Sequence, residues 1–356
     1  MQLLDKNIRA FLALIRAGLW EEEVQLAPYG DIDFSSVYKI AERHGVVGLV
    51  AAGLEYVKDI RIPQNIALLF AGHAIQLEQR NKSMNEFIGS LVEKMRKDDV
   101  YGMLVKGQGL AQCYLKPLWR SSGDIDLFFS RDRYNKAVGY FTSLSSECVQ
   151  DSQYTKSYGV IIQSWLVELH GTLRSGLSTR LDKVLDNVQD DVFYGGDVRS
   201  WMNGKTQVFL PGVNSDLFFL FTHFARHFYH HEFLIRQACD WCRFLVTYQE
   251  SVNKKQLEER LKKTNLMTEW KAFAAFAVEY LGMPKDFMPF YNALPKWGKK
   301  AEKILNFAMR NRKPNRMRDT LTMASIFPSN AIRFLPSLLF NVNGMKLKER
   351  LLNNRH

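Results

Sequence analysis

Two aspartates separated by one residue stand at the head of an apolar run. Asp124 and Asp126 precede Leu127-Phe128-Phe129, and they follow Lys106-Gly107 by 17 residues. Because alternate side chains of a strand share a face, both carboxylates are expected to point one way while Ile125 turns into a core. Carboxylates this close repel each other unless a cation lies between them. Hard divalent ions bridge such oxygens to substrate phosphates, so the pair suits metal-dependent chemistry on a nucleoside triphosphate. A surface Asp-x-Asp is common, and its context decides the interpretation.

The residues before the aspartates predict a strand, a glycine turn and a short helix. Residues 100–105 have the pattern of a buried strand, Lys106-Gly107-Gln108-Gly109 that of a turn, and residues 110–115 that of a helix. The glycines let backbone N–H groups approach a polyphosphate, and the start of the helix favours negative charge. Lys106 and Arg120 add positive charge. Each feature alone is ordinary at a protein surface; their position around the acidic strand indicates a phosphate site.

A later segment supplies a third acid. In residues 165–170, Trp165, Val167 and Leu169 alternate with Leu166, Glu168 and His170, which predicts a strand with Glu168 and His170 on one face and a core face opposite. If this strand lies beside the acidic one, Glu168 completes a three-carboxylate metal site with Asp124 and Asp126. An exposed glutamate on an edge strand is the alternative interpretation.

These motifs resemble those of a known family. Lys106-Gly107, Arg120 and the runs 123–127 and 167–170 are similar to the bacterial uncharacterised nucleotidyltransferase family of the DNA polymerase beta-like superfamily. That superfamily carries a glycine pair, then Asp-x-Asp or Asp-x-Glu, then a third acid on a later strand. The specific motifs cover residues 104–170, and the resemblance extends more loosely to the helical segment around His223 and Asp240. Gly107-Gln108 departs from the usual Gly-Gly or Gly-Ser pair.

The resemblance implies an α+β fold in which a small mixed sheet with helices, the polymerase beta-like core, is flanked by N- and C-terminal helical regions. It implies that Asp124, Asp126 and Glu168 are the catalytic residues and hold Mg²⁺ or Mn²⁺. The expected activity is transfer of a nucleoside monophosphate from a nucleoside triphosphate to a hydroxyl of a small molecule, sugar, protein or RNA. The nucleotide-binding residues that it implies are Lys106, Gly107, Gln108, Gly109, Arg120, Ser122, His170, His223 and Asp240.

Two other functions are compatible with the sequence. A catalytically inactive nucleotide- or RNA-binding regulatory protein of the same fold is the first, although such a protein has no need for a complete metal triad. The second is a metal phosphohydrolase that uses His223, His227 and His230, which line one face of a predicted helix. The aromatic surroundings and the lack of a His-Glu-x-x-His motif favour a packing or hydrogen-bonding role for these histidines.

Composition places the chain among globular proteins. It has 356 residues, 46% of them hydrophobic and 13% aromatic, which is ample for large cores. Four scattered cysteines do not form a disulfide framework and fit a reducing cytoplasm. Cys239 and Cys242 form a Cys-x-x-Cys without a second pair, so zinc or redox use is disfavoured. Residues 1–20 predict an amphipathic helix rather than a signal peptide, and the longest apolar stretches, such as 46–54, are too short to cross a bilayer. We therefore expect a cytoplasmic protein without transmembrane segments.

Periodicity divides the chain into three regions. Residues 1–98 form an N-terminal helical region, 99–210 a nucleotidyltransferase catalytic core, and 211–356 a C-terminal helical region with a basic tail. Helices are predicted near 1–20, 34–44, 64–97, 131–146, 217–229, 235–248, 254–263 and 267–281, with Asn214 or Ser215 as the cap of the fifth.

The positive charge of the chain is concentrated in that tail. Residues 296–356 hold 14 Lys or Arg and three acids, a net charge of +11, whereas residues 1–295 hold 34 of each. This tail is a candidate surface for RNA, an anionic membrane surface or an acidic partner. Apolar residues between 326 and 347 suit either interfacial membrane binding or docking onto the core, and we predict docking.

Overall fold

A computed structural model describes residues 5–152, 154–310 and 316–340. The helices, in chain order, are α1 Lys6–Trp20, α2 Phe34–Arg43, α3 Val47–Leu54, α4 Gln64–Lys97, α5 Gly107–Ala111, α6 Tyr134–Leu144, α7 Thr179–Phe193, α8 Val213–Tyr229, α9 Ile235–Thr247, α10 Lys254–Thr264, α11 Met267–Leu281, α12 Pro295–Ala308, α13 Arg316–Ile326 and α14 Pro328–Phe340. The strands are β1 Met103–Val105, β2 Ile125–Phe128, β3 Glu147–Ser152, β4 Ser157–Ile162, β5 Trp165–His170, β6 Val198–Asn203 and β7 Thr206–Pro211.

Five of these strands form one mixed sheet in the order β1-β2-β5-β4-β3. The pairing is antiparallel throughout except between β2 and β5, which run parallel. The register of that parallel pair places Asp126 directly beside Glu168. Strands β6 and β7 form a separate hairpin that packs next to β1 and α4. The fold is therefore α+β, a small mixed sheet embedded among helices.

Two hydrophobic clusters cover opposite faces of the sheet. One face, which includes Ile125 and Val167, packs against the second half of α4 and against α6. The stripe that α4 contributes is spaced at helical intervals and consists of Met84, Ile88, Leu91 and Met95. The opposite face carries Asp126, Phe128 and Glu168 and looks toward the helical body, whose core includes Phe128 itself. The candidate site therefore lies where the sheet meets the helices.

The N- and C-terminal helices share one core. Buried residues of α1 and α3, such as Phe11 and Val50, belong to the same cluster as Phe224 of α8 and Phe273 of α11. Arg16 and Trp20 of α1 also donate hydrogen bonds to carbonyls at the end of α11. The division into three regions stays a prediction from the sequence pattern. In the structure, helices of the first region pack together with helices of the third.

Most predicted helices occur within a few residues of their expected bounds, and three local predictions were wrong. The first strand is shorter than 100–105 and covers Met103–Val105. The following helix is Gly107–Ala111, not 110–115, because the chain turns into the helix directly at Gly107. Helix α8 begins at Val213 after Gly212, so neither Asn214 nor Ser215 caps it.

The part of the tail that the structure describes docks onto the core. Phe327 and Phe334 are buried, and the Phe334 ring lies 4.8 Å from the ring of Tyr229 on α8. The docking prediction is confirmed for these two residues. Within the predicted basic tail, residues 311–315 and 341–356 lie outside the described residues. Among the helices that the structure describes, none is both long and apolar enough to cross a bilayer.

Candidate functional site

Asp126 is the centre of a charged cluster at the sheet face. Its Oδ1 atom lies 2.7 Å from Lys106 Nζ and 2.7 Å from His170 Nε2. The same His170 nitrogen lies 3.9 Å from a carboxylate oxygen of Glu168. Asp126 is only 3% exposed, whereas the Lys106, Glu168 and His170 side chains keep between 14% and 18% of their surface exposed. The structure thus brings together four residues predicted from the sequence and leaves them partly open to solvent.

Strand register explains this convergence. Val105 of β1 pairs with Asp126, so Lys106 leaves the sheet at the level of the carboxylate. Glu168 is the direct neighbour of Asp126 across the parallel pair. His170 lies two residues beyond Glu168 and therefore on the same face. The alternation predicted for residues 165–170 is confirmed: Trp165, Val167 and Leu169 are buried, whereas Leu166, Glu168 and His170 are half-buried.

Lys106 adopts a backbone conformation that is rare for a residue with a side chain. Its φ is 57° and its ψ is −143°, a region that favours glycine and costs about 1–3 kcal/mol for other residues. The next residue, Gly107, also has a positive φ, of 40°. The strained turn aims the Lys106 ammonium at Asp126. Such strain persists where the surrounding structure enforces it, which is common at functional sites.

Gln108, the residue that departs from the family glycine pair, points away from the site. Its side chain is buried, and Nε2 donates to Asn81 Oδ1 of α4 at 2.9 Å. Asn81 in turn donates to the carbonyls of Leu118 and Arg120 at 2.7 and 2.8 Å. The glutamine therefore ties the glycine turn to α4 and to the segment that leads into the aspartates. Gly109 is needed for packing, since a Cβ there would lie 2.8 Å from Leu210 of β7.

The electrostatic state of Asp126 follows from its neighbours. Burial alone would raise the pKa of this carboxyl, but the Lys106 ammonium and the hydrogen bond from His170 outweigh burial and hold the pKa below its ordinary value. Asp126 is therefore ionised throughout the physiological pH range. A buried, ionised carboxylate that contacts a lysine and a histidine is a strong ligand position for a metal ion or for the cations that accompany a polyphosphate.

One oxygen or nitrogen from each of Asp126, Glu168 and His170 lies within 4.8 Å of the others, which is close enough for all three to bind one metal ion. Two carboxylates and one imidazole form a donor set that suits a divalent ion such as Mn²⁺, and the carboxylates alone suit Mg²⁺. Asp124, which the sequence pattern predicts as a ligand, is half-buried just before β2 and is not part of this group. It interacts with its surroundings, and its charge acts on Arg120 and Arg236.

Arg120, Ser122 and Asp240 form a second, buried network. Arg120 donates from Nε and Nη2 to the two oxygens of Asp240 at 2.8 and 2.7 Å, and from Nη1 to Ser122 Oγ at 2.8 Å. Tyr114 donates its hydroxyl to Asp240 Oδ1 at 2.8 Å. Burial lowers the pKa of Arg120, but the Asp240 charge more than compensates and raises it. These three residues were predicted to bind nucleotide; the structure directs their side chains at one another.

His223 on α8 is close enough to the Asp126 cluster for the cluster's charges to act on it. Burial lowers its pKa well below the ordinary value, and the next contribution is the charge of Lys106, with a further one from His170. Its Nε2 lies 3.1 Å from Nε2 of His227. Within the described ranges, the α8 histidines form no metal-ligating group of their own. The predicted packing or hydrogen-bonding role is thus confirmed for His223 and His227.

Two contributors to the site were missed from the sequence. Arg236 of α9 donates from Nη1 to the Ser121 carbonyl at 2.8 Å, close to the aspartate segment. Asn81 anchors Gln108, and its position carried a signal: it extends the buried stripe of α4 three residues before Met84. A polar residue on an apolar helical stripe indicates a buried hydrogen-bond partner. The sequence around Arg236 contains no comparable signal.

Comparison with curated proteins and with solved structures gives no significant match. A family model described as an uncharacterised nucleotidyltransferase matches residues 30–282, which is 253 of the 356 residues and contains every site residue described above. That range begins before α2 and ends just after α11, so it includes the sheet together with the helices that surround it. The chain therefore belongs to the uncharacterised nucleotidyltransferase family.

Proposed function

We propose that this protein transfers a nucleoside monophosphate from a nucleoside triphosphate to a hydroxyl acceptor with the help of a divalent metal ion. Family membership supports nucleotidyl transfer in general. The observation that carries the specific proposal is the position of Asp126 directly beside Glu168, with Lys106 and His170 converging on the same carboxylate oxygen. This arrangement combines metal ligands with a cation at one partly open face.

Asp126, Glu168 and His170 are the residues that would hold the ion, with Asp124 as a further ligand. The ion would neutralise charge on the phosphates and make the acceptor hydroxyl more acidic. An imidazole among the ligands favours Mn²⁺ relative to an all-oxygen site, which Mg²⁺ prefers. Mg²⁺ or Mn²⁺ is therefore the proposed cofactor, with Mn²⁺ expected to support the higher activity at equal concentration.

The chain itself supplies the rest of the phosphate site. Lys106 is already positioned by its backbone, and its ammonium can pass from Asp126 to a phosphate oxygen with little movement of the chain. Gly107 has a φ of 40°, which side chains rarely adopt, although a Cβ there would have room at 3.6 Å from the Asp124 carbonyl oxygen. Glycines in the turn Gly107-Gln108-Gly109 would let the main chain approach a triphosphate closely. Arg120, Ser122 and Asp240 position the segment that carries the aspartates.

The chemistry is an in-line displacement. The acceptor oxygen forms a bond to the α-phosphorus, the bond from that phosphorus to the bridging oxygen of the β-phosphate breaks, and pyrophosphate leaves. Positioning and charge stabilisation supply most of the rate enhancement in such transfers, and no covalent protein intermediate is required. The acceptor is proposed only by class, as a hydroxyl of a small molecule, sugar, protein or RNA.

Some basic side chains of the tail make contacts within the protein. Lys303 donates to the Ser325 carbonyl at 3.1 Å, Lys300 donates to the Ile326 carbonyl, and Arg310 pairs with Asp319 at 3.2 Å. These contacts join α12 to α13. Binding of RNA or an anionic surface by residues 296–356 stays a prediction, as does the cytoplasmic location.

The proposal is tested with purified protein, each α-³²P-labelled nucleoside triphosphate, Mg²⁺ or Mn²⁺, and cell lysate as the acceptor pool. We expect the wild type to transfer label and Asp126→Asn to transfer none. Asp190→Asn is the matched control, because Asp190 is a partly exposed acid that pairs with Arg131 and makes none of the contacts described for the Asp126 cluster. If the protein binds nucleotide in a metal-dependent way but transfers no label, the regulatory function replaces the proposed enzyme activity. If it neither binds nor transfers nucleotide, the proposed site is wrong.

A further inference from the structure

A row of three ionisable side chains runs from α8 to the surface. His223 Nε2 lies 3.1 Å from His227 Nε2, and His227 Nδ1 lies 3.1 Å from a carboxylate oxygen of Glu232. His227 is 27% exposed and Glu232 45% exposed, and His223, which is half-buried, is close enough to Lys106 and His170 for their charges to act on it. The row therefore runs from the neighbourhood of the candidate active site to solvent.

The hydrogen bonds fix the tautomers along this row. A carboxylate only accepts hydrogen bonds, so His227 must carry a proton on Nδ1, and in the neutral ring its Nε2 is then the acceptor. His223 must consequently donate from Nε2, which leaves a lone pair on its Nδ1. Burial and the His227 contact act in opposite directions on the pKa of Glu232 and leave it below its ordinary value, so this carboxyl is ionised at neutral pH.

Burial keeps His223 in the neutral form. It lowers the pKa of the imidazole, and the positive charges of Lys106 on the sheet side and Arg226 on its own helix add to the effect. A neutral imidazole whose Nδ1 carries a lone pair can accept the proton of a substrate hydroxyl that is bound within its reach.

We propose that Nδ1 of His223 is the general base that takes the proton of the acceptor hydroxyl, and that His227 and Glu232 relay that proton to the surface. The proposal rests on the transfer reaction proposed above. As the acceptor oxygen bonds to the α-phosphorus, its O–H bond breaks and the proton moves to His223 Nδ1. The Nε2 proton of His223 passes to Nε2 of His227, and the Nδ1 proton of His227 passes to Glu232. Glu232 then releases a proton to solvent.

The tautomers are measured directly by long-range ¹H–¹⁵N correlation spectra of protein labelled with ¹⁵N-histidine, without metal or nucleotide. Signals are assigned with His223→Gln and His227→Gln. We expect His227 protonated on Nδ1 and His223 protonated on Nε2 at pH 7. A His223 ring protonated on Nδ1, or one that carries both protons at pH 7, would overturn the base role regardless of whether transfer is found.

The relay is then tested by the rate of label transfer from the preferred α-³²P-labelled triphosphate. Glu232→Gln keeps a hydrogen-bond acceptor for His227 but cannot take a proton, so a purely structural role would survive it. We expect transfer to fall about 10-fold to 100-fold in Glu232→Gln and about 100-fold or more in His223→Ala, the range of general base catalysis. Added imidazole should restore part of the rate to His223→Ala and none to Asp126→Asn.

His230→Gln is the matched control, because His230 lies on the same helix end, is largely buried and stands outside the row. Its transfer rate should remain within about twofold of the wild type. Wild-type transfer with an unaffected Glu232→Gln rate would overturn the relay alone. Absence of transfer by the wild type would overturn the reaction and the base role together.

Discussion

Two charged clusters lie within this protein, and they differ in how their charges are matched. In the Arg120–Asp240 pair the side chains are 7% and 4% exposed, and both carboxylate oxygens receive well-aligned donors. In the Asp126 cluster, Lys106 and His170 both converge on one oxygen, and the cluster keeps access to solvent. The first is a closed structural network, and the second resembles an open binding site. Charge alone does not indicate a functional residue. A charged group that is incompletely paired and accessible to solvent is the better indicator.

The largest expected effect belongs to the open cluster. Asp126→Asn should lower nucleotidyl transfer by about a thousandfold or more, because it removes a metal ligand and the charge that orients Lys106. The measurement is label transfer at saturating nucleotide, together with circular dichroism to confirm that the variant is folded. If this variant is folded and has wild-type activity, the reaction does not take place at Asp126, and the two clusters do not differ in function as described.

Substitutions in the closed network should instead lower the stability of the protein. Arg120→Met leaves Asp240 buried without its counter-ion, which typically costs about 3–5 kcal/mol in the free energy of unfolding. Urea denaturation measures the change, and Arg120→Met with Asp240→Leu should lose less than the two single variants combined. A stable Arg120→Met protein with a raised KM for nucleotide would move Arg120 into the open site, as the family resemblance implies.

Metal binding should also distinguish the two clusters, through a smaller change in the free energy of unfolding. Mn²⁺ at about 100 times its Kd should raise the free energy of unfolding of the wild type by about 2.7 kcal/mol, and a chelator should reverse the gain. Glu168→Gln should lose most of this stabilisation, whereas Asp190→Asn should keep it. Thermal denaturation with and without the ion provides the measurement. Equal stabilisation of Glu168→Gln would exclude Glu168 as a ligand.

The last effect, counted per pH unit, concerns a titratable group in neither cluster. His44 is buried, its Nδ1 accepts from the Ile235 N–H, and burial lowers its pKa to about 3 from an ordinary 6.5. Below pH 6.5 the unfolded chain binds a proton that the native protein does not, so stability falls as pH falls and the loss ends near pH 3. His44→Gln should remove about 1.4 kcal/mol per pH unit from that slope. Denaturation midpoints measured between pH 4 and 7 test it.

Local patterns predicted those parts of the fold in which periodicity and packing agree. The helix predicted at 64–97 is observed as α4 Gln64–Lys97, and the strand with Glu168 and His170 on one face is β5. Helix α3 was missed because Val47–Leu54 is apolar and small on every side, so it has no periodicity to detect. Helix α7 and the β6–β7 hairpin also went unpredicted, although Ser178 does cap α7.

The site could be predicted only to the extent that its residues are close in sequence or in strand register. The motif placed Asp126, Lys106 and Glu168 correctly together. The pairing of Arg120 with Asp240 joins residues 120 positions apart, and nothing local in the sequence specifies it. Long-range ion pairs depend on how α9 packs against the loop before β2, which is a property of the whole fold.

The core shared by the two helical regions determines when this protein can complete its folding. Helix α1 is synthesised well before α11, because the Leu281 carbonyl that receives the Trp20 indole N–H lies 261 residues further along the chain. At about 5–20 residues per second, α1 can pack against α3 soon after both are made, but its contacts with the end of α11 wait for roughly ten to fifty seconds. During that interval the shared core lacks the side chains of α11, so the N-terminal helices reach their final packing only after most of the described chain has been made.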